Sequence, residues 1–219
     1  LWANNDAGSI FRVNINSEDT TDTDGASPVD DLYLNVTEIA VGAGHQLSTL
    51  VTPTGRSPLL LTHHATDQTV SVVNVDPAAP TFMTVTQTIA LGIDNVPHGI
   101  TFSPLNHHVY VGIERGPLAL GVLDAADDAL ASHHMAAGVG VGQLPVGGPV
   151  AVDLSTHGDQ PAGRWVFSAG YRAGIEGTAG QGYLSVIDAS MANAVVEVVA
   201  LGDARVGAIQ ISHLTVDNQ

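Results

Sequence analysis

Four times along the chain a run of β-prone residues closes on an apolar–small–apolar–Gly signature: Ile39–Gly42, Ile89–Gly92, Val139–Gly142 and Val199–Gly202. The glycines fall at 42, 92, 142 and 202, in steps of fifty, fifty and sixty residues. A period of that size marks a repeat architecture, in which one small unit is copied and stacked. Reading outward from each Gly, every unit supplies the same kind of segments. One holds LSTLVTP, LLLTHH, TVSVVNV and VTQTIALG, and another holds PVAVDL, RWVFSAG, GYLSVIDA and AVVEVVALG. These are short stretches rich in Val, Ile, Leu and Thr, bounded by Gly, Pro, Asp or Asn, which is strand grammar with turn punctuation. None sustains an i, i+3, i+4 pattern long enough for a helix.

Four strands per fifty residues is one blade of a β-propeller. The fold class expected is therefore all-β: a propeller of four-stranded antiparallel blades on a single domain, 1–219. The blade repeats run roughly 1–42, 43–92, 93–142 and 143–202, and 203–219 starts a further or closing blade. A single four-stranded meander leaves both faces bare, so each unit needs a neighbour. The Gly after the outer strand lets the chain swing inward to the next blade. An ordinary β-sandwich is the competing reading, and the regular spacing argues against it. Strands are predicted at about 57–62, 69–75, 83–91, 98–103, 108–113, 118–124, 149–153, 164–169, 183–188 and 194–200, with almost no helix.

Composition narrows the function classes. The 219 residues include 24 Gly and 11 Pro, and no Cys. That excludes disulfides, thiolate metal sites and haem attachment through cysteine. Acidic residues number 22 against six basic ones, all Arg, for a formal charge of −16. Such a chain has no cationic footprint for nucleic acid. It suits cations, or an exterior where solubility in salt matters, so an extracellular or periplasmic location is expected. No apolar run reaches the length of a membrane span. The first residues, LWANNDAGS, show no leader pattern, so any export signal has been removed or was never part of this chain.

The stretch PHGITFSPLNHHVYVGI (Pro97–Ile113), with GYLSVIDAS (Gly182–Ser190) and TVSVVNVD (Thr69–Asp76), resembles the YVTN-type β-propeller repeat. The resemblance extends from about Val36 to Gly202. It implies a propeller, more usually of about seven blades, in a class that includes surface, binding and redox proteins. The ends of the chain resemble strands two to four of one blade and the first strand of another. Either they complete a four-blade ring, or the chain is part of a seven- or eight-bladed ring finished elsewhere, including on another chain. The family's usual blade number favours the larger ring.

In a propeller the loops entering first strands and those joining strands two and three share one face. On that rule His45, His63, His64 and His98 lie on one face, with His98 nearest the axis. His107, His108, His133, His134, His157 and His213 lie toward the other. Four imidazoles on one rim suit copper or zinc. A distant similarity to the nitrous-oxide-reductase-like propeller superfamily, whose histidines converge on copper, points the same way. That superfamily's all-round histidine set and Cys-containing copper domain are not matched here. A separate insert, Asn16–Asp31, carries Asp19, Asp22, Asp24, Asp30 and Asp31 with Gly25 after Asp-x-Asp, a partial set of oxygens for calcium. A solvated acidic loop and turn histidines are the plainer readings of both clusters. Asn35–Thr37 matches a glycosylation acceptor pattern.

No nucleophile elbow, phosphate loop or dinucleotide fingerprint is present. The Gly-rich GVGVGQLPVGG joins two strands without opening a helix and is not expected to hold phosphate. The sequence thus points to an extracytoplasmic, non-catalytic propeller that binds a protein, a small molecule or cations at one face. The alternative is a copper-dependent oxidoreductase subunit with histidine ligands.

Overall fold

The computed structural model describes residues 2–5, 7–13, 36–42, 44, 47–127, 130–132, 134–136, 147–156, 158–172, 180–203 and 206–211. Among these residues the chain is made of strands, and the one helical element is a three-residue 3-10 turn, Ala189–Met191. The strands form four antiparallel sheets, each built of consecutive segments. The first holds β1 (Trp2–Asn4), β2 (Ser9–Val13) and β3 (Val36–Ala40). The second holds β4 (Ser48–Val51), β5 (Leu59–His64), β6 (Thr69–Asn74) and β7 (Thr84–Ala90). The third holds β8 (Val96–Phe102), β9 (His108–Arg115), β10 (Leu118–Asp124) and β11 (Met135–Ala136). The fourth holds β12 (Val150–Val152), β13 (Trp165–Arg172), β14 (Gln181–Asp188) and β15 (Ala194–Gly202).

The ten predicted strands all fall on these elements. The largest difference is β13, which continues to Arg172 where the expectation stopped at Ala169. Gly170 pairs with Tyr183, and Tyr171 pairs with Gly182. A glycine inside a strand marks close backbone approach, and here a loop comes down on it.

Side-chain alternation along the strands sets the stack. In β5, Leu60 joins Ile10, Ile39 and Val73 in a buried cluster between the first and second sheets. Its neighbour Leu61 points the other way, to a cluster with Val70, Val72, Ile100, Val109, Val111 and Leu123 between the second and third. In β9 the same alternation sends Tyr110 to Val122, Val152, Val166 and Ile187, between the third and fourth. The second and third sheets are thus apolar on both faces and sandwiched by their neighbours. A fully enclosed side chain such as Leu61 contributes about 2–3 kcal/mol of burial. The edge strands β4 and β12 both approach β8. The order is compatible with a propeller.

The repeated punctuation has a backbone cause. Gly42, Gly92 and Gly202 follow or end β3, β7 and β15 with φ of 154°, 91° and 79°, a region where a side chain is unfavourable. Gly142 lies outside the described residues. A second recurrent device puts an Asp at or just after the end of the third strand in the second, third and fourth sheets. Asp188 Oδ1 accepts from Ser190 N, Asp124 Oδ1 from Ala126 N and Asp76 Oδ1 from Ala78 N, at 2.8–2.9 Å. These are Asx turns, and they stop the strand where the chain must reverse. Asp188 also accepts from Arg164 Nε and Nη2 at 3.0 and 2.8 Å, and those bonds hold its carboxyl below the usual carboxylate range.

Candidate functional site

A cleft of about 250 Å³ opens between the third and fourth sheets, lined by His98, Glu114, Gly147, Gly148, Pro149, Gly170, Tyr171 and Gly207, among others. It is built by backbone approach. Gly147 N donates to Ile113 O at 2.8 Å, which ties the incoming loop to β9, and Ala169 N donates to Pro149 O at 3.0 Å, which ties it to β13. The approach is so close that four positions have no room for a side chain. A Cβ on Gly99 would lie 2.7 Å from the Gly148 carbonyl oxygen, and one on Gly112 would overlap that oxygen. A Cβ on Gly148 would lie 2.5 Å from His98 Cγ, and one on Gly147 would overlap the Ala169 carbonyl. Gly99 and Gly112 are cross-strand partners at a bulge in the β8–β9 pair, so they form a flat seat for the loop.

Three side chains with chemistry reach this seat. His98 is set by the β8 bulge against Gly148. Glu114 and Tyr171 come from the penultimate positions of β9 and β13. Gly180 leaves room for the Tyr171 hydroxyl, which a Cβ there would strike. The cleft therefore offers an imidazole, a carboxylate and a phenol around a glycine-backbone wall. That set can bind and orient a small polar or cationic group. His98 was singled out by the sequence; Glu114, Tyr171 and the glycine seat were not. The signal that could have found them is the repeat itself, because both residues end the second strand of their units, as His63 and His64 do in β5.

The other predicted ligands have separate surroundings. His63 and His64 are both buried and diverge, as neighbours on a strand do. His63 lies opposite Val70 on the side of the third sheet, and His64 lies beside Gly42 on the side of the first. His64 Nε2 shares a hydrogen bond with Ser71 Oγ at 2.8 Å. Burial lowers its pKa, while the Asp67 charge and a bond with the Gly42 backbone oppose that shift. His98 sits one sheet boundary away, in the cleft. Among the described residues no three His, Asp or Glu side chains are placed to share a metal ion. His45, Asp19, Asp22 and Asp24 lie outside the described residues, as do His133, His157 and His213. His107 and His108 lie at the start of β9, the opposite end of the third sheet from Glu114.

Compared with known proteins, the chain matches no family model and no curated protein.

Proposed function

We propose that the chain is a β-propeller, or the four-blade part of one, acting as an extracytoplasmic binding module. Its ligand site is the cleft between the third and fourth sheets, and its ligand is a small cationic group, such as an amine or a basic side chain of a partner. The observation that carries this reading is the convergence of Glu114, His98 and Tyr171 on a wall of glycine backbone. The volume selects the size of occupant. About 250 Å³ lies just below the usual range for drug-sized pockets, so it suits one side chain or a small amine. The charge selects the sign, since Glu114 faces the cleft and the whole chain carries −16. Such a field concentrates cations at the surface.

Isothermal titration with butylamine and an arginine tripeptide, against butyrate as the anionic control, tests it. The amines should bind and butyrate should not. Glu114→Gln should weaken amine binding roughly tenfold, the loss expected of one charge-assisted hydrogen bond. Equal affinity for butyrate, or an E114Q variant that binds amines unchanged, would overturn the assignment. The copper reading keeps its own measurement. Stoichiometric copper in natively purified protein would favour an oxidoreductase built on His45, His63, His64 and His98. That reading would need imidazoles now spread over three sheet boundaries to be brought together.

A further inference from the structure

We propose that a hydrogen-bond network between the third and fourth sheets, at the end opposite the cleft, holds His108 as a neutral acceptor, so that this joint lets go when acid protonates the ring. The proposal stands apart from the amine-binding reading. Four side chains make the joint. Asn106 precedes β9, His108 and Tyr110 lie on it, and Asn193 lies in the turn between β14 and β15. Tyr110 is fully enclosed, Asn193 is buried and His108 is half-buried.

The bonds fix the protons one after another. His108 N donates to Asn106 Oδ1 at 3.1 Å, which sets that amide. Asn106 Nδ2 then donates to Tyr110 Oη at 2.8 Å and reaches Ala189 O, Asn193 Oδ1 and His108 Nδ1 at 3.1–3.2 Å. Tyr110 Oη accepts from that amide, and its own proton goes to Asn193 Oδ1 at 2.6 Å. With Oδ1 so committed, Asn193 turns Nδ2 to His108 Nδ1 at 3.0 Å. An amide nitrogen only donates, so Nδ1 is the acceptor and the ring carries its proton on Nε2. Reversing the Asn193 amide gives no relief. It would set Asn193 Nδ2 against Asn106 Nδ2 and leave the Tyr110 proton without an acceptor in the network.

Acid changes one member of this set. An imidazolium carries a proton on both nitrogens, so the new N–H at Nδ1 would face two amide donors. Away from water, a donor set against donors is costly, and the network breaks as the ring charges. The charges around the ring do little to offset this. Asp124 is the cross-strand partner of His108 on β10, and exposed Asp127 follows it in the next turn. Both favour the imidazolium, but Asp124 already accepts from Ala126 N, and partly exposed pairs are worth little. On the fourth sheet Asp188 is paired with Arg164 at 2.8 Å. Tyr110 stays neutral, its phenol pushed up to about 12 by enclosure. At the same end of the two sheets, Ser103 Oγ donates to Gly163 O at 2.6 Å, a contact with no titrating group. Acid therefore frees the turn at 189–193 from β9 while the contact at Ser103 holds.

Histidine-ring NMR of the full chain, from about pH 8 down to about pH 5, tests this across the range where imidazoles titrate. At the alkaline end His108 should carry its proton on Nε2 alone. It should titrate below the ~6.5 of an unperturbed imidazole, and the Asn193 side-chain amide signals should change with it. Two variants should move the ring the same way for different reasons. Tyr110→Phe removes the proton that pins Asn193 Oδ1, so the amide can turn and accept from the imidazolium. Asn193→Asp sets a carboxylate oxygen at Nδ1 and keeps an acceptor for Tyr110, and aspartate tolerates the left-handed φ of 63° there. Each should raise the His108 titration midpoint by about one pH unit. In Asn193→Asp the turn at 189–193 should also keep its amide-exchange protection at the acid end. Should Tyr110→Phe not fold, Asn193→Asp alone decides. A midpoint that either folded variant leaves unmoved, or a wild-type ring that titrates with the Asn193 signals unchanged, would overturn the proposal.

Discussion

His64 ends β5 with its ring enclosed between the first and second sheets, bonded to Ser71 Oγ. Burial disfavours the imidazolium and outweighs the attraction of Asp67, so the folded pKa lies below the ordinary 6.5. The native state then binds fewer protons than the unfolded chain in this window. Stability from this group is present above the unfolded value and is lost as pH falls through 6.5 toward the folded pKa. Urea denaturation from pH 7.5 down to pH 5 should show declining stability, and His64→Gln should flatten that decline. An unchanged slope in the variant would mean that other groups set the acid sensitivity. Tyr110 works by hydrogen bonds instead. Its hydroxyl donates to Asn193 Oδ1 at 2.6 Å and accepts from Asn106 Nδ2 at 2.8 Å, linking the third sheet to the turn after β14. Enclosure pushes the phenol up to about 12, so it stays a neutral donor at any working pH. Tyr110→Phe should cost about 1–3 kcal/mol, since it leaves buried amides short of a partner. A loss under half a kilocalorie would show that the amides re-pair with each other or with water.

At the scale of elements, two glycines serve different needs and should fail differently. Gly202 adopts φ of 79° with open space around its missing Cβ. Gly202→Ala should therefore cost only the left-handed backbone penalty, about 1–2 kcal/mol. Gly112 has no such backbone demand, but a Cβ there would overlap the Gly148 carbonyl. Gly112→Ala must push the loop off its seat, and about 3 kcal/mol with loss of amine binding is expected for such overpacking. Urea melts of both variants, with a titration of each, separate the two causes. Equal costs with binding intact would remove the glycine seat from the site. The contrast also shows what the sequence made legible. Gly42, Gly92 and Gly202 recur in steps of fifty to sixty residues, with 142 between them, and with similar neighbours, and each of the three is at a positive φ. Periodic constraint leaves a periodic trace, and so the strands and their grouping could be read directly. Gly99, Gly112, Gly147 and Gly148 meet from two units at one place, and that meeting has no period. Glu114 and Tyr171 do hold a periodic place, the ends of second strands, but the residue type there changes from unit to unit, so no signature marked them. They converge only because β9 and β13 end on the same side of stacked sheets.

For the whole molecule, four of the six arginines make contacts inside the fold. Arg56 Nη1 donates to Ala125 O at 2.7 Å, between the second and third sheets. Arg164 holds Asp188 and lies 4.7 Å from the Trp165 ring centre, and Arg172 lies 4.8 Å from that of Tyr183. Arg12 stands over Phe82 from the first sheet. With four of the six arginines so placed and no lysine present, the net −16 works against the compact state. Raising salt from about 0.01 M to about 1 M shortens the screening length from ~30 to ~3 Å, which relieves repulsion between exposed charges. The Arg164–Asp188 pair should lose less than exposed charges would, because Asp188 is only 1% exposed and buried pairs are weakly screened. The repulsive part should dominate. Sodium chloride should raise the melting temperature by roughly 3–6 °C, the shift that 1–2 kcal/mol gives a domain of this size. Amine binding at Glu114 should weaken over the same range, since its attraction is screened too. A melting temperature that falls with salt would mean that attractive pairs outweigh repulsion, and the anionic surface would then be a network rather than a field.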